Sequence, residues 1–334
     1  MAGSQPSTCQ FDELTFPLLR LKDNTLDENN LVSGCPLDKS RVYNTPQQDL
    51  GALQVLPLEL LQVLLFQLDL RTLMDFRWVN HRALQVVDSI PEYKEITTHA
   101  LNALRGILCI GTGRWITCEA LYNTICTAEC EECGDFAGYI YILTCKRVCF
   151  LCLSENKAYL PLRYSLAIRK FGITRQIIDM LPHMRSIPGT YSPNERKCRD
   201  RLSLVDPNSA REAGINFHGS TSAMERYVSD LAAQKLQEFN EKLLKAEVEG
   251  RRFTARRPSS EDPFDGQPGN PLRFMAIVQA PTINRSSKEV EWGSYCVGCR
   301  ESSDERPQHF RRRFTKASFA EHLKECGLIR DGKH

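Results

Sequence analysis

L-P-L-E-L-L-Q-V-L-L-F-Q-L-D-L-R-T-L-M-D-F-R-W-V-N, Leu56 to Asn80, is the stretch whose reading decides the fold. Pro57 fits the first turn of a helix, where its missing N–H has no intrahelical partner in any case. Leu58, Leu61, Leu65 and Leu68 recur at helical spacing and mark one apolar face. Leu60, Val63, Leu64 and Phe66 lie off that stripe, so apolar surface wraps most of the helix. Asp69 is a good N-cap for a second helix carrying Leu70, Leu73, Phe76 and Val79, and Asn80 for a third with Leu84, Val86 and Val87. Three short helices make too small a core to cover every one of these side chains. The surplus predicts a partner surface.

Outward from this stretch, the pattern resembles the F-box, the module by which substrate receptors dock onto the Skp-type adaptor of cullin-RING ubiquitin ligases. The likeness runs from about Leu53 to Ile96. It is carried by L-P-x-E-L-L at Leu56–Leu61, L-D-L-R-T-L at Leu68–Leu73 and V-N-x-R-A at Val79–Ala83. The following V-D-S-I-P-E-Y, Val87 to Tyr93, is similar to the continuation in many fungal F-box proteins. The alternative is an ordinary three-helix core fragment with L-P-x-E-L arising by chance. The resemblance implies a receptor that does no bond chemistry, with Leu56, Pro57, Leu60, Leu61, Leu64 and Leu73 on the adaptor-binding face.

Composition bounds the rest. A chain of 334 residues has room for two or three modules, and 42% apolar residues are compatible with a folded interior. A formal charge of +2 gives no global push toward nucleic acid or membrane. No signal peptide and no membrane-spanning apolar run is apparent, so a reducing compartment, cytoplasm or nucleus or both, is expected. Fourteen cysteines in such a compartment point to metal or redox chemistry before disulfides.

The expected organisation is mainly α with small β elements: an N-terminal three-helix module followed by a zinc-stabilised α+β region. Residues 1–48 read as a disordered or loosely docked leader, broken by Pro6, Pro17, Pro36 and Pro46. The leucine-rich helices take 49–98, a cysteine-rich helical region 99–250, a charged linker 251–271, and a zinc-finger-like module 272–334. Strands are expected at Tyr139–Leu143, Leu272–Val278 and Val290–Tyr295, and a long amphipathic, core-facing helix at Ala223–Val248.

Cysteine spacing supplies the chemistry. Cys296-x2-Cys299 is followed by His322-x3-Cys326 on an expected helix, where positions i and i+4 share a face. The four make a tetrahedral Cys3His zinc site, with His309 a competing ligand. Cys130-x2-Cys133 and Cys149-x2-Cys152 have the spacing of two knuckles around one zinc. Cys126 and Cys145 extend both halves to C-x3-C-x2-C, which leaves a two-zinc, six-cysteine cluster or an iron–sulfur site open; no βαβα alternation follows to house the latter. Two structural zinc ions are expected in all.

The resemblance to fungal F-box proteins continues through these segments. It includes Phe136 with Tyr139–Leu153, then Leu181–Ser192, His218–Ser220, and E-W-G-x-x-C-x-G-C at Glu291–Cys299. Cys126 departs from that group's pattern. A Skp-type adaptor, the cullin-RING ligase behind it and a protein substrate are the implied partners. A regulatory nucleic-acid-binding zinc protein is the competing reading, resting on Arg251, Arg252, Arg256 and Arg257 and on Arg311, Arg312 and Arg313. The near balance of acidic and basic residues makes it the weaker one. Neither a nucleophile elbow nor a phosphate-cradling glycine loop is present to suggest an enzyme.

Overall fold

The computed structural model describes residues 8–29, 31, 35, 37, 49–191, 195–258, 270–301, 308–330 and 332–334. The chain is mostly helical with small antiparallel sheets. A short helix α1 (Thr8–Leu14) and strand β1 (Thr15–Phe16) come first. The leucine-rich stretch then forms α2 (Leu58–Phe66), α3 (Leu70–Arg77) and α4 (His81–Ser89). The two caps read from sequence are in place: Asp69 accepts from the Thr72 N–H at 2.9 Å, and Asn80 from the Ala83 N–H at 2.8 Å.

Helices α5 (Pro91–His99), α6 (Leu101–Ile110) and α7 (Cys118–Ile125) extend the bundle. Gly111 in the left-handed region ends α6, and Thr117 caps α7. The buried faces of α2 to α7 merge with those of β2 (Tyr139–Tyr141), β3 (Lys146–Val148) and α8 (Phe150–Glu155) into one core.

Within α2, Leu61 and Leu65 are buried, while Leu60, Val63 and Leu64, off their stripe, are 54–60% exposed; Leu58, on the stripe but at the first residue of the helix, is 42% exposed. Two residues expected on the docking face are therefore corrected: Leu61 at 4% exposure and Leu73 at 0% are core. The helical period turns Leu61 inward with Leu65, four residues on, and α4 packs against α3, with Leu73 in the shared core. Pro57 and Leu60 remain exposed and Leu56 half-buried. Leu73→Ala is expected to cost about 2–5 kcal/mol of folding stability. The check is a lower urea midpoint at unchanged slope; an unaltered midpoint would show that Leu73 is not part of the core.

The expected module boundaries do not hold, because the sheet that anchors the centre is made of distant segments. Its strand order is β3-β2-β9, with β9 (Ile277–Gln279) drawn from beyond the charged linker and Ile140 opposite Val278. Phe274 through Val278 are fully buried in the main core, which takes in residues 272–283, so the boundary expected at 271/272 is not one; the residues around the last cysteine pair have a small cluster of their own. The expected strand at Leu272 begins as a helical turn, α13 (Pro271–Phe274), because the Asn270 side chain accepts from the Leu272 N–H at 3.0 Å and Pro271 presets the first turn.

Between these parts lie β4 (Leu162–Arg163), α9 (Tyr164–Phe171), α10 (Arg175–Asp179), β5 (His183–Arg185), β6 (Gly189–Tyr191), β7 (Arg196–Cys198), β8 (Ser203–Val205), α11 (Pro207–His218) and α12 (Thr221–Val248). They form a three-stranded sheet β4-β8-β5 and a hairpin β6-β7, with α9, α11 and α12 around a second apolar cluster. The stripe on α12 is core-facing only in part: Met224 and Ala246 are buried, while Val228, Leu231, Leu236, Phe239 and Leu243 between them are half-buried. No described helix is long and apolar enough to cross a membrane.

The leader is also corrected where it is described. Leu26 is fully buried in the main core. The Asp27 carboxylate accepts from the Asn102 side chain at 3.1 Å and the Gln279 N–H at 3.3 Å, and Asn29 bonds both backbone groups of Thr190. Burial pushes the Asp27 carboxyl above its usual range. Low local hydrophobicity concealed this docking because its anchors are a few polar groups meeting partners far along the chain. Residues 1–7 and 38–48 of the leader lie outside the described residues.

Candidate metal centres

The remaining strands, β10 (Thr282–Ile283), β11 (Val290–Glu291), β12 (Ser294–Cys296) and β13 (Arg313–Phe314), lead into α14 (Lys316–Cys326). Gly293, at φ 68°, splits the single strand expected at Val290–Tyr295 into β11 and β12. Strand β1 pairs with β12, which pairs with β13, so the leader completes this sheet.

The central tetrad is Cys130, Cys133, Cys149 and Cys152, their sulfurs all within 4.8 Å of one another. Cys130 and Cys133 sit in a tight turn closed by the Gly134 N–H donating to the Cys130 carbonyl at 2.9 Å, with Gly134 at φ 78°. The Glu131 N–H donates to the Arg147 carbonyl at 3.1 Å, which fixes this knuckle to β3. Cys149 caps α8, and Cys152 follows in its first turn. Cys133 and Cys149 are 3.6 Å apart, close to the roughly 3.8 Å between sulfurs that share a tetrahedral ion at about 2.3 Å. With no cation, thiols this close cannot all ionise. Cys130 is pulled down to about 5, chiefly because Cys149 hydrogen-bonds to it, and Cys149 is pushed up by keeping that proton.

Neither Cys126 nor Cys145 joins this set; Cys145, at φ 58°, donates to the Thr124 hydroxyl at 3.4 Å. Four sulfurs in one closed shell and two outside it match a single ion better than the six-cysteine alternatives.

The second tetrad is Cys296, Cys299, His322 and His334, again within 4.8 Å. Cys296 ends β12, Cys299 lies in the following turn, and His322 is on α14. Here the fourth ligand expected from sequence, Cys326, is replaced by His334. His322 turns Nε2 toward Cys299 at 3.3 Å and toward His334 at 3.1 Å, while Cys326 lies 3.6 Å from the opposite nitrogen, Nδ1. Two donors on opposite edges of one imidazole cannot serve the ion its Nε2 faces. The chain past Gly327 folds back through an Arg330–Lys333 bridge, and His334 Nδ1 hydrogen-bonds the Gly327 carbonyl at 2.9 Å. That bond fixes the ring and leaves Nε2 free to ligate. A Cβ on Gly298 would stand 2.7 Å from the His334 ring, so glycine is needed there. The only sequence signal for His334 was a histidine eight residues past the helix end, and nothing local aims it.

Phe314 stacks on His322 with centroids 4.3 Å apart, and Phe11 and Phe319 close the small core beneath. His309 lies 6.4 Å from the His322 ring centre and is not among the four. His334→Ala is expected to remove one bound metal per chain and Cys326→Ser none, measured by metal analysis of purified protein. Loss in Cys326→Ser with retention in His334→Ala would restore the set read from sequence.

The arginines beside this tetrad are turned inward. Arg311 is ion-paired with Asp23, Arg312 meets Asp135 at 2.7 Å, and Arg313 donates to the Tyr295 hydroxyl at 2.7 Å. Arg251, Arg252, Arg256 and Arg257 are exposed. No protein-family model, no curated protein and no solved structure matches the chain.

Proposed function

We propose that this protein is a substrate receptor of a cullin-RING ubiquitin ligase, bound to a Skp-type adaptor through α2 and its flanks. One observation carries the reading. Leu58, Leu60, Val63 and Leu64 stand exposed together on α2, with Val55 just before it at 87% exposure, on helices whose opposite faces are fully used in the core. Contiguous exposed apolar surface of this kind marks a contact site. The residue order that resembles an F-box falls on the same helices, and β2, β3, α8 and β9 share one core with them.

Both tetrads hold zinc in this reading. The central donors are all thiolates and the C-terminal ones two thiolates with two imidazoles, the ligand chemistry of structural zinc. Four protein ligands leave no open position, so the ion would fix loops rather than activate water. Co-expression with a Skp-type adaptor should give a complex that survives gel filtration at high salt. Nucleic-acid binding is the lesser reading, supported by the exposed Arg251–Arg257 run, and it predicts the opposite: capture of an oligonucleotide that collapses as salt is added.

A further inference from the structure

The geometry points to a peptide-binding groove between the leader and the C-terminal sheet, built for an extended segment that sets one carboxylate beside a large apolar side chain. The groove encloses about 450 Å³, within the range of ligand sites. Leu18 and Leu21 form one wall, Trp292 and Tyr295 the other, and Arg311 and Arg313 the floor. Leu18 is 79% exposed and Trp292 46%, so the apolar lining continues onto the rim.

Charge decides what the floor accepts. Asp23 neutralises Arg311, which is 6% exposed and whose Nε meets no hydrogen-bond acceptor. Arg313 has the Tyr295 hydroxyl and the Trp292 carbonyl as acceptors, both neutral, and no carboxylate pairs with it among the described residues. Its charge and Arg311's are felt by one another: burial first, then Arg313, brings Arg311 down to about 10. Among the residues lining the groove, two guanidinium groups stand against one carboxylate, so Arg313 carries a positive charge with no carboxylate partner there. A side-chain carboxylate balances it, with bidentate geometry available from a guanidinium. A phosphate chain brings more negative charge than the two guanidinium groups can match, and Trp292 and Tyr295 give the groove an aromatic side, which makes an oligonucleotide the contrasting probe. Gly138 and Gly293 are shaped to the same end, since a Cβ at either would stand 2.6 to 3.1 Å from the Arg313 side chain. The groove would serve the receptor reading as its substrate-recognition site, and rests on that reading for its purpose only.

The test uses the full chain and fluorescein-labelled Gly/Ser peptides carrying a central Glu-Phe, Gln-Phe or Glu-Ser pair, with a labelled oligothymidylate as a fourth probe. Anisotropy titration is expected to rank Glu-Phe at least about tenfold above the other three. Arg313→Gln and Leu18→Asp should each lower Glu-Phe affinity by about tenfold or more; the second lies on the exposed rim and leaves the fold alone. Equal affinity for Gln-Phe, tighter binding of the oligonucleotide, or no Glu-Phe binding by about 1 mM would each overturn the proposal. Adaptor capture scored on the same preparations keeps its failure distinct from that of the receptor reading: intact capture with no peptide binding sinks the groove alone.

Discussion

Cys149→Ser is expected to unfold most of the chain, not the knuckle alone. The affected sulfur caps α8, and three members of its tetrad, Cys130, Cys149 and Cys152, lie in the same core as β2, β9 and the helices from α2 onward, with Cys133 exposed at its edge. Binding of a structural zinc contributes about 10–16 kcal/mol in small finger peptides, as much as the whole net stability of a typical domain, about 5–15 kcal/mol. Losing a ligand also leaves crowded thiols with no cation to hold them together. Near-ultraviolet circular dichroism and the urea transition should both show collapse, with metal content falling by at least one ion per chain. Cys296→Ser should be milder, because its tetrad sits over the small cluster of Phe11, Phe314, Phe319 and Leu323, apart from the main core. Protease sensitivity after Cys296→Ser should begin near β12 and spare Phe274–Val278, which stay locked into the central sheet. A cooperative, unshifted transition in Cys149→Ser would show that the central tetrad holds no stabilising ion.

The second large effect concerns binding without folding. Leu60 and Leu64 are 55% and 54% exposed, so changing both to Asp should shift the folding midpoint little. Each leucine is already about half covered, so burial under a partner would contribute about 0.8–1.5 kcal/mol more. Together that is about 1.5–3 kcal/mol, about tenfold to a hundredfold in affinity for the adaptor before the cost of burying carboxylates is counted. Adaptor pull-down should fall below detection while metal content and thermal midpoint stay put. Undiminished capture by a folded double variant would remove the F-box reading. A Leu61→Asp change does not test the same thing, because Leu61 faces the core and its loss would unfold the helices first.

Much of this was legible locally. Asp69, Asn80, Thr117, Thr174 and Thr315 all cap helices where a polar residue stands before an apolar period. The C-x2-C knuckles are turns whose geometry is set within four residues, so the central ligands were readable as well. What escaped the sequence is what depends on distant partners. Helical spacing already put Leu61 on one stripe of α2 and Leu64 off it, but both are leucines, and the packing of the neighbouring helices decides which side becomes core. Cys326 satisfied the helical i, i+4 rule, but the rule does not say which imidazole nitrogen faces the ion; a tail folded back across Gly298 decides that. Arg311, Arg312 and Arg313 read as a basic patch because their acceptors, Asp23, Asp135 and Tyr295, come from other parts of the chain.

The position of β9 beside β2 sets a timetable for synthesis. Tyr141 emerges from the ribosome 138 residues before Gln279, the span between these two strands. At about 5–20 residues per second, the open side of β2 waits on the order of ten seconds for its neighbour. Through that interval Ile140 and the core side chains later covered by Phe274–Val278 are bare, and an unpaired strand edge is a template for the wrong chain. Closure of β1 onto β12 comes later still, joining the first-made strand to one of the last. Nascent chains stopped anywhere before Ile277 should therefore associate with one another or with holdase chaperones, and release should coincide with the appearance of β9. The slow step in making this protein is then the meeting of segments far apart in its sequence, and premature termination leaves a sticky intermediate instead of a smaller folded protein.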